Sequence, residues 1–325
     1  MFSTLPLVSV LVPVFRVEQY IERCARSLFE QTYSNLEFLF VDDASPDRSV
    51  EILQQIIAEY PKWDRYVTII HHDKNRGLAA VRNTLVDHCK GEFLVHVDSD
   101  DWVERNAIEL LVKRQLETGA DIVSGLFHRH TPDGENEVDP KKWTLLKERN
   151  REETLMAMMK FGSIVSIWNR LIRTSIYHDN NIRSLEGIDA GEDLLITPRL
   201  VYYSKKVATC SAVTYHYNLS NANSYVSVFP DNWEMQYQLI RATKMNEAFF
   251  REKDVDLGKA MEEHLVRRLE HVLKLTLDNH NRQGYYTVIA LLDETSRDYW
   301  YLVGWNKPYK RWLDHHYYLK RMSVI

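Results

Sequence analysis

Within its first hundred or so residues this chain alternates four short apolar runs with segments of helical periodicity, and that rhythm admits few folds. Leu7–Val14, Leu36–Val41, Tyr66–Ile70 and Phe93–Val97 are rich in branched and aromatic residues, as strands buried on both faces are. Between them, Ile21, Cys24, Ala25 and Leu28 recur at helical spacing, as do Val50, Leu53, Ile56 and Ile57. Leu78–His88 fills the third gap as a helix, entered through Asn75-Arg76-Gly77 and closed by Gly91. Ser45 followed by Pro46 predicts the start of the second helix. Strands alternating with helices in this way predict a parallel sheet with right-handed crossovers.

Two of these runs end in carboxylates: Asp42-Asp43 after the second, and Asp98-Ser99-Asp100-Asp101 after the fourth. Open α/β sheets bind ligands just beyond the carboxyl ends of their strands. Three carboxylates crowded there repel each other and lose hydration, which is costly unless a cation or a set of donors sits among them. Mg²⁺ and Mn²⁺ take oxygen ligands and combine one or two protein carboxylates with substrate phosphates. The spacing points to a metal bridging protein and diphosphate; the competing reading is a solvated acidic turn.

Pro13, the turn Asp42-Asp43-Ala44-Ser45, the stretch Asn75-Arg76-Gly77-Leu78-Ala79-Ala80-Val81-Arg82-Asn83, and Gly91-Glu92-Phe93 running into Asp98-Ser99-Asp100-Asp101 together resemble family 2 glycosyltransferases of the GT-A fold, of the inverting, non-processive bacterial type. The resemblance is close over residues 5 to about 105 and thinner through Trp168-Asn169-Arg170-Leu171 and Gly191-Glu192-Asp193 to about residue 225. It implies an α/β fold with a mainly parallel, helix-flanked sheet. Residues 1–105 would form a Rossmann-like nucleotide-sugar half, 106–225 an acceptor half, and 226–325 a helical C-terminal extension. By the same resemblance, backbone near Pro13 and the carboxylates of Asp43 and Asp42 hold the nucleobase, and Asp98 lies near the ribose. Arg82 joins the nucleotide-sugar contacts. Asp100, with Asp101 close by, binds the divalent metal, Mn²⁺ or Mg²⁺. Asp193 matches the catalytic base, and Glu192 and Trp168 border the acceptor. Asp43 suits the N3–H of uracil, so a UDP-sugar is the expected donor. The expected partners are that donor and a glycan or lipid-linked acceptor, in bacterial cell-envelope polysaccharide assembly.

Taken alone, Glu192-Asp193 reads equally well as acids complementing the start of a helix, and Trp168 as core packing. His216, in the strand read over Val207–Tyr217, is either a third metal ligand or phosphate contact, or a hydrogen-bonded histidine in an aromatic cluster with Tyr215 and Tyr217. Thr131–Pro140 reads as an internal loop. From about Asn232 onward the pattern is helical; His264 and His271 lie on one such helix with few acids nearby and read as structural.

Other classes fit less well. No G-x-G-x-x-G follows the first strand, as a dinucleotide enzyme requires, and Val10–Arg16 has no glycine for a pyrophosphorylase-type loop. A net charge of −5 argues against general nucleic-acid binding. A sugar-nucleotide or glycan-binding protein without catalysis is the alternative, against which Asp193 weighs, since binding a donor needs no base. Three scattered cysteines, Cys24, Cys89 and Cys210, read as small core residues in a reducing compartment. With no basic segment before the first apolar run and no apolar segment approaching the ~20 residues of a membrane span, the expected location is the cytoplasm, with peripheral contact at the inner face of the plasma membrane.

That contact is read from Trp305–Ile325, where five basic residues face the single acid Asp314 and Trp305, Tyr309, Trp312, Tyr317 and Tyr318 are interleaved. Such a segment suits an anionic lipid surface, at about 1 kcal/mol per basic residue; packing of the aromatics on the domain is the other reading. Full-length protein should sediment with anionic but not neutral vesicles at low salt, and truncation before Trp305 should abolish this while UDP binding survives.

Overall fold

The computed structural model describes residues 5–131, 134–137, 150–161, 165–221, 224, 232–279 and 281–295. The chain divides into two compact units, Met1–Met158 with Gly162–Ser227, and Met159–Phe161 with Val228–Ile325. Trp305–Ile325 lies outside the described residues.

The first unit opens as the sequence predicts. β1 (Val8–Val14), α1 (Ile21–Phe29), β2 (Leu36–Asp42), α2 (Ser49–Glu59), β3 (Val67–His71), α3 (Leu78–His88) and β4 (Phe93–His96) follow one another. The four strands lie in the order β3-β2-β1-β4 and all run parallel. The chain moves outward from β1 to β3, then crosses back to place β4 on the other side of β1. Strand order therefore reverses between β1 and β4, the switch point where a ligand crevice opens. Every residue of β1 is buried, as expected of a central strand covered on both faces.

α2 begins later than Ser45-Pro46 predicts. Asp47 Oδ1 accepts from the hydroxyls of both Ser45 and Ser49, and its Oδ2 accepts from Glu18 N. These local side-chain bonds hold residues 45–48 as a turn and defer the helix to Ser49.

Beyond β4 the alternation stops and the sheet becomes mixed. β5 (Trp102–Val103), α4 (Ala107–Thr118), β6 (Ile122–Thr131), β7 (Gly134–Glu137), α5 (Arg151–Phe161), β8 (Arg170–Arg173), α6 (Ser175–Asp179), α7 (Glu192–Tyr203) and β9 (Val207–Asn218) complete the chain as far as residue 218. β8 runs antiparallel to both β4 and β6, β9 parallel to β6, and β5 antiparallel to β9, giving a nine-stranded sheet. The segment read as a loop from Thr131 contributes β7, paired with β6 from Thr131↔Gly134 to His128↔Glu137. Its Gly-Glu-Asn-Glu sequence carries no strand propensity, so pairing with β6 defines it.

Packing beneath the parallel strands is aromatic. Phe29 meets Phe38 edge-on at 5.1 Å, Phe38 meets Trp63 at 5.1 Å, and Trp63 Nε1 donates to Phe29 O at 2.8 Å. The three cysteines are free, with Cys24 and Cys210 buried.

The second unit is helical: α8 (Trp233–Lys253), α9 (Val255–Asp278) and α10 (Arg282–Thr295). Asn232 caps α8 by accepting from Met235 N. Ile240, Leu265, Val266, Leu269, Val272 and Val288 form its core. His264 Nδ1 bonds Met159 O at 2.9 Å, and burial lowers its pKa to about 4, which makes it a neutral structural group. No helix among the described residues is long and apolar enough to cross a membrane.

Gly91 precedes β4 where space is closed: a Cβ there would lie 2.5 Å from Phe93 O and 2.6 Å from Ser9 Oγ. Its N–H donates to Ser9 Oγ, whose hydroxyl donates to Glu37. Gly91→Ala should lower stability by about 1–3 kcal/mol in urea unfolding.

Candidate active site

Four backbone segments meet at the switch point: the ends of β1, β2 and β4, and the start of α3. The end of β2 serves the start of α3 directly. Asp43, 2% exposed, accepts from Arg76 N at 2.9 Å, Gly77 N at 2.8 Å and His72 Nδ1 at 2.6 Å. His72 is held in turn by Thr84 Oγ1 at 2.9 Å. A second carboxylate, Asp189, accepts from Ala79 N at 2.8 Å. Acids at a helix start oppose the positive end of the helix dipole. Gly77 sits at φ +88°, and a Cβ on it would fall 2.6 Å from Asp189 Oδ1, so only glycine suits this entry. Asp42 stands beside, accepting from Ser45 N and paired with His71. The nucleobase role read for Asp43 thus falls on a carboxylate already holding three protein donors.

α3 carries Arg82 into the middle of the site. Its side chain is 5% exposed, and its guanidinium donates from Nη2 to Asp98 Oδ1 at 2.8 Å and from Nε to Glu192 Oε1 at 2.8 Å. One buried cation therefore joins the acidic turn after β4 to the first residue of α7. Arg82, read from the resemblance as a nucleotide-sugar contact, is engaged through Nε and Nη2 with these two carboxylates.

The acidic turn is fastened to β9. Asp101, fully buried, accepts from Tyr215 Oη and Asn218 N, both at 2.7 Å. Tyr215 Oη also accepts from Asp98 N, and Asn218 Nδ2 donates to Asp100 O. Both oxygens of Asp101 thus accept from protein donors, which fasten the turn to β9. Asp98 and Asp100 are the partly exposed carboxylates. Burial and the charge of Asp98 push the Asp100 carboxyl up to about 6, against hydrogen bonds from Asn221 and its own backbone N–H and the charge of Arg23. Like-charged, underneutralised oxygens suit a hard divalent cation. Among the described residues no group of three or more His, Cys, Asp or Glu side chains is placed to hold a metal ion.

α7 starts at Gly191, whose φ of +100° is left-handed, and places Glu192 and Asp193 in its first turn. Burial raises Asp193 to about 6, opposed by the hydrogen bond from Leu194 N. Burial also lifts the Glu192 carboxyl, and the Arg82 cation pulls it back. Trp168 stacks on Tyr215 and Tyr217 at 4.4 and 5.2 Å and packs edge-on against Phe127, the core role weighed in the sequence. His216 lies on the opposite face of β9 from Tyr215. It bonds Glu104 Oε1 at 2.8 Å and His130 Nε2 at 2.9 Å and stacks on Trp102. Its surroundings are those of a hydrogen-bonded histidine, though its aromatic partner is Trp102.

Sequence reasoning missed Tyr215, Asn218, His72 and Asp189 as parts of this site. Each acts across more than 25 residues of chain or within an unmarked loop, and the pairing of β9 with β5 and β6 brings Tyr215 and Asn218 to the turn.

The family model "Glycosyl transferase family 2" matches residues 9–179, and the chain belongs to that family. The uncharacterized glycosyltransferase EpsJ of Bacillus subtilis is 30% identical over 241 residues, covering 72% of this chain and 68% of that protein. The glycosyltransferase GlyA of Streptococcus pneumoniae is 28% identical over 287 residues, 85% of this chain but only 38% of that protein. The chain thus spans well under half the length of GlyA. In fold it is similar to the crystal structure of S. aureus TarS 1-349 in complex with UDP-GlcNAc, with a TM-score of 0.62 and 17% identity, covering 90% of this chain and 91% of that one.

Tyr215→Phe removes the hydroxyl that serves both Asp101 and Asp98 N. Leaving these buried groups unmatched should cost about 1–3 kcal/mol in thermal unfolding.

Proposed function

We propose that this chain transfers a sugar from a UDP-sugar to a hydroxyl of a glycan or lipid-linked acceptor, by single displacement with inversion at the anomeric carbon. The observation that carries this reading is the line of groups Asp100, Asp98, Arg82, Glu192 and Asp193. It sets a half-buried carboxylate with a raised pKa beside a cation-bridged acidic turn at the switch point of the sheet. A binding protein needs the turn but not the base.

Pro13 and the Asp42-Asp43 turn hold the base, and Asp98 the ribose. Asp100 would hold a divalent cation, Mn²⁺ or Mg²⁺, which when bound offsets the charge gained by the departing diphosphate. Asp193 takes the proton of the acceptor hydroxyl as the new glycosidic bond forms and the anomeric bond to diphosphate breaks. Its elevated pKa makes it a stronger base than an exposed aspartate. Glu192, held by Arg82, and Trp168 border the acceptor.

Two measurements test this. Asp193→Asn should cut turnover by on the order of 10²–10⁴-fold with donor affinity little changed. In the wild-type chain kcat/KM should fall as pH drops through about 6, because a protonated Asp193 cannot accept the hydroxyl proton. Product NMR should show the inverted anomer; retention, or an Asn variant of undiminished turnover, contradicts the mechanism. Separately, Asp100→Ala should abolish the Mn²⁺-dependent part of UDP binding in calorimetry and leave the thermal transition in place. Equal UDP affinity in chelator would refute the metal assignment.

A further inference from the structure

The first unit holds a cavity of about 10 Å³ whose lining includes Arg82, Asn83, His96, Tyr177, Glu192 and Asp193. Room of that size admits about one water molecule. Among the described residues two buried polar atoms of this lining, Arg82 Nη1 and His96 Nδ1, find no hydrogen-bond partner. Arg82 is 4% exposed and His96 is fully buried. Left unmatched, each atom would cost about 1–3 kcal/mol.

The chemistry of the two atoms narrows what can join them. Burial, reinforced by the neighbouring Arg82 cation, holds the His96 imidazole neutral. A neutral ring has one N–H and one lone pair, and Nε2 is engaged with Tyr177 Oη at 3.2 Å. If Nε2 donates to the tyrosine, Nδ1 must accept; if Nε2 accepts, Nδ1 must donate. Arg82 Nη1 can only donate. A water serves both cases, since it accepts from the guanidinium and can either donate to or accept from the imidazole. An anion serves only the second case, and would sit against Glu192 and Asp193 on the same wall.

We infer that this cavity is the site of one ordered water bridging Arg82 Nη1 and His96 Nδ1, and that through it His96 is a positioning residue for Arg82 and so for the start of α7. The other two edges of the guanidinium hold Asp98 and Glu192. The water fixes the remaining edge and with it the rotation of the fork. Glu192 directly precedes Asp193, so a guanidinium free to swing would loosen the carboxylate proposed as base. The effect on turnover rests on the transfer reading; the water and the guanidinium geometry do not.

The test begins with atomic-resolution diffraction from the wild-type protein and from His96→Leu and His96→Asn. Leu removes the polar atom at similar bulk, whereas Asn can present an amide near the position of Nδ1. A water within hydrogen-bond distance of both Arg82 and His96, absent in the Leu variant together with a displaced guanidinium, supports the inference. An empty cavity, a heavier ion in anomalous scattering, or an unmoved guanidinium in the Leu variant overturns it. Should the Leu variant fail to fold, the wild-type and Asn structures decide by the presence of the water. In transfer assays the Leu variant should lose on the order of 10-fold in kcat with donor KM unchanged, and Asn should recover most of it. Equal kcat in all three proteins overturns the positioning role while leaving transfer intact. A wild-type protein that transfers no sugar refutes the transfer reading instead, and diffraction still decides the water and the guanidinium.

Discussion

A single buried guanidinium organises the centre of the first unit. Arg82 could not be carried into this interior on α3 without compensation, because an isolated ion loses several kcal/mol of hydration there. Asp98 and Glu192 provide it, and burial would equally penalise those carboxylates without the arginine. Each of the three stands only because the other two do. The element ends that bear them, the start of the turn after β4, the middle of α3 and the first turn of α7, are thereby fixed relative to one another by charge as well as by apolar packing. Removing the arginine alone would strand two acids in low dielectric beside Asp193, which is why such bridges respond more to the loss of one member than to replacement of the whole set.

The parallel half of the sheet was legible because it depends on local periodicity. Leu78–His88 emerges as α3 over the same residues, and the β1, β2 and β3 runs shift by no more than a residue or two at their ends. A strand buried on both faces cannot hide its composition, and a helix entered by Asn-Arg-Gly announces its start. β5, β7 and β8 are two to four residues long and take their identity from partners far away in the chain. Nothing local distinguishes Trp102-Val103 from loop until β9 pairs with it. The start of α2 was misplaced for a related reason: Ser45 and Ser49 are both capping residues, and the choice between them fell to Asp47, which binds both hydroxyls.

The same contrast runs through the site. The sequence singles out the acids by their clustering but does not divide them, because carboxylates two and three residues apart look equivalent on paper. Tertiary donors separate them. Tyr215 and Asn218 claim Asp101, α3 claims Asp43, and Asp98 and Asp100 stay partly open. Arg82 was visible as part of a motif, but its role as a bridge required knowing that residue 192, on a different helix, comes within 2.8 Å.

The double-acid entry of α3 has a consequence for how such a fold handles phosphate. In many nucleotide-binding α/β proteins the helix after a glycine-containing turn offers its free N–H groups to the phosphates, so the peptide dipoles themselves carry much of the counter-charge. Here Gly77 N and Ala79 N are already spent on Asp43 and Asp189. That helix end presents an electrostatically closed face. A diphosphate arriving at this crevice would find those two N–H groups occupied by the protein's own acids, and the proposed divalent cation would supply the counter-charge in their stead. On the proposed reading, the permanent receptor is exchanged for one whose occupancy depends on the ionic composition around it.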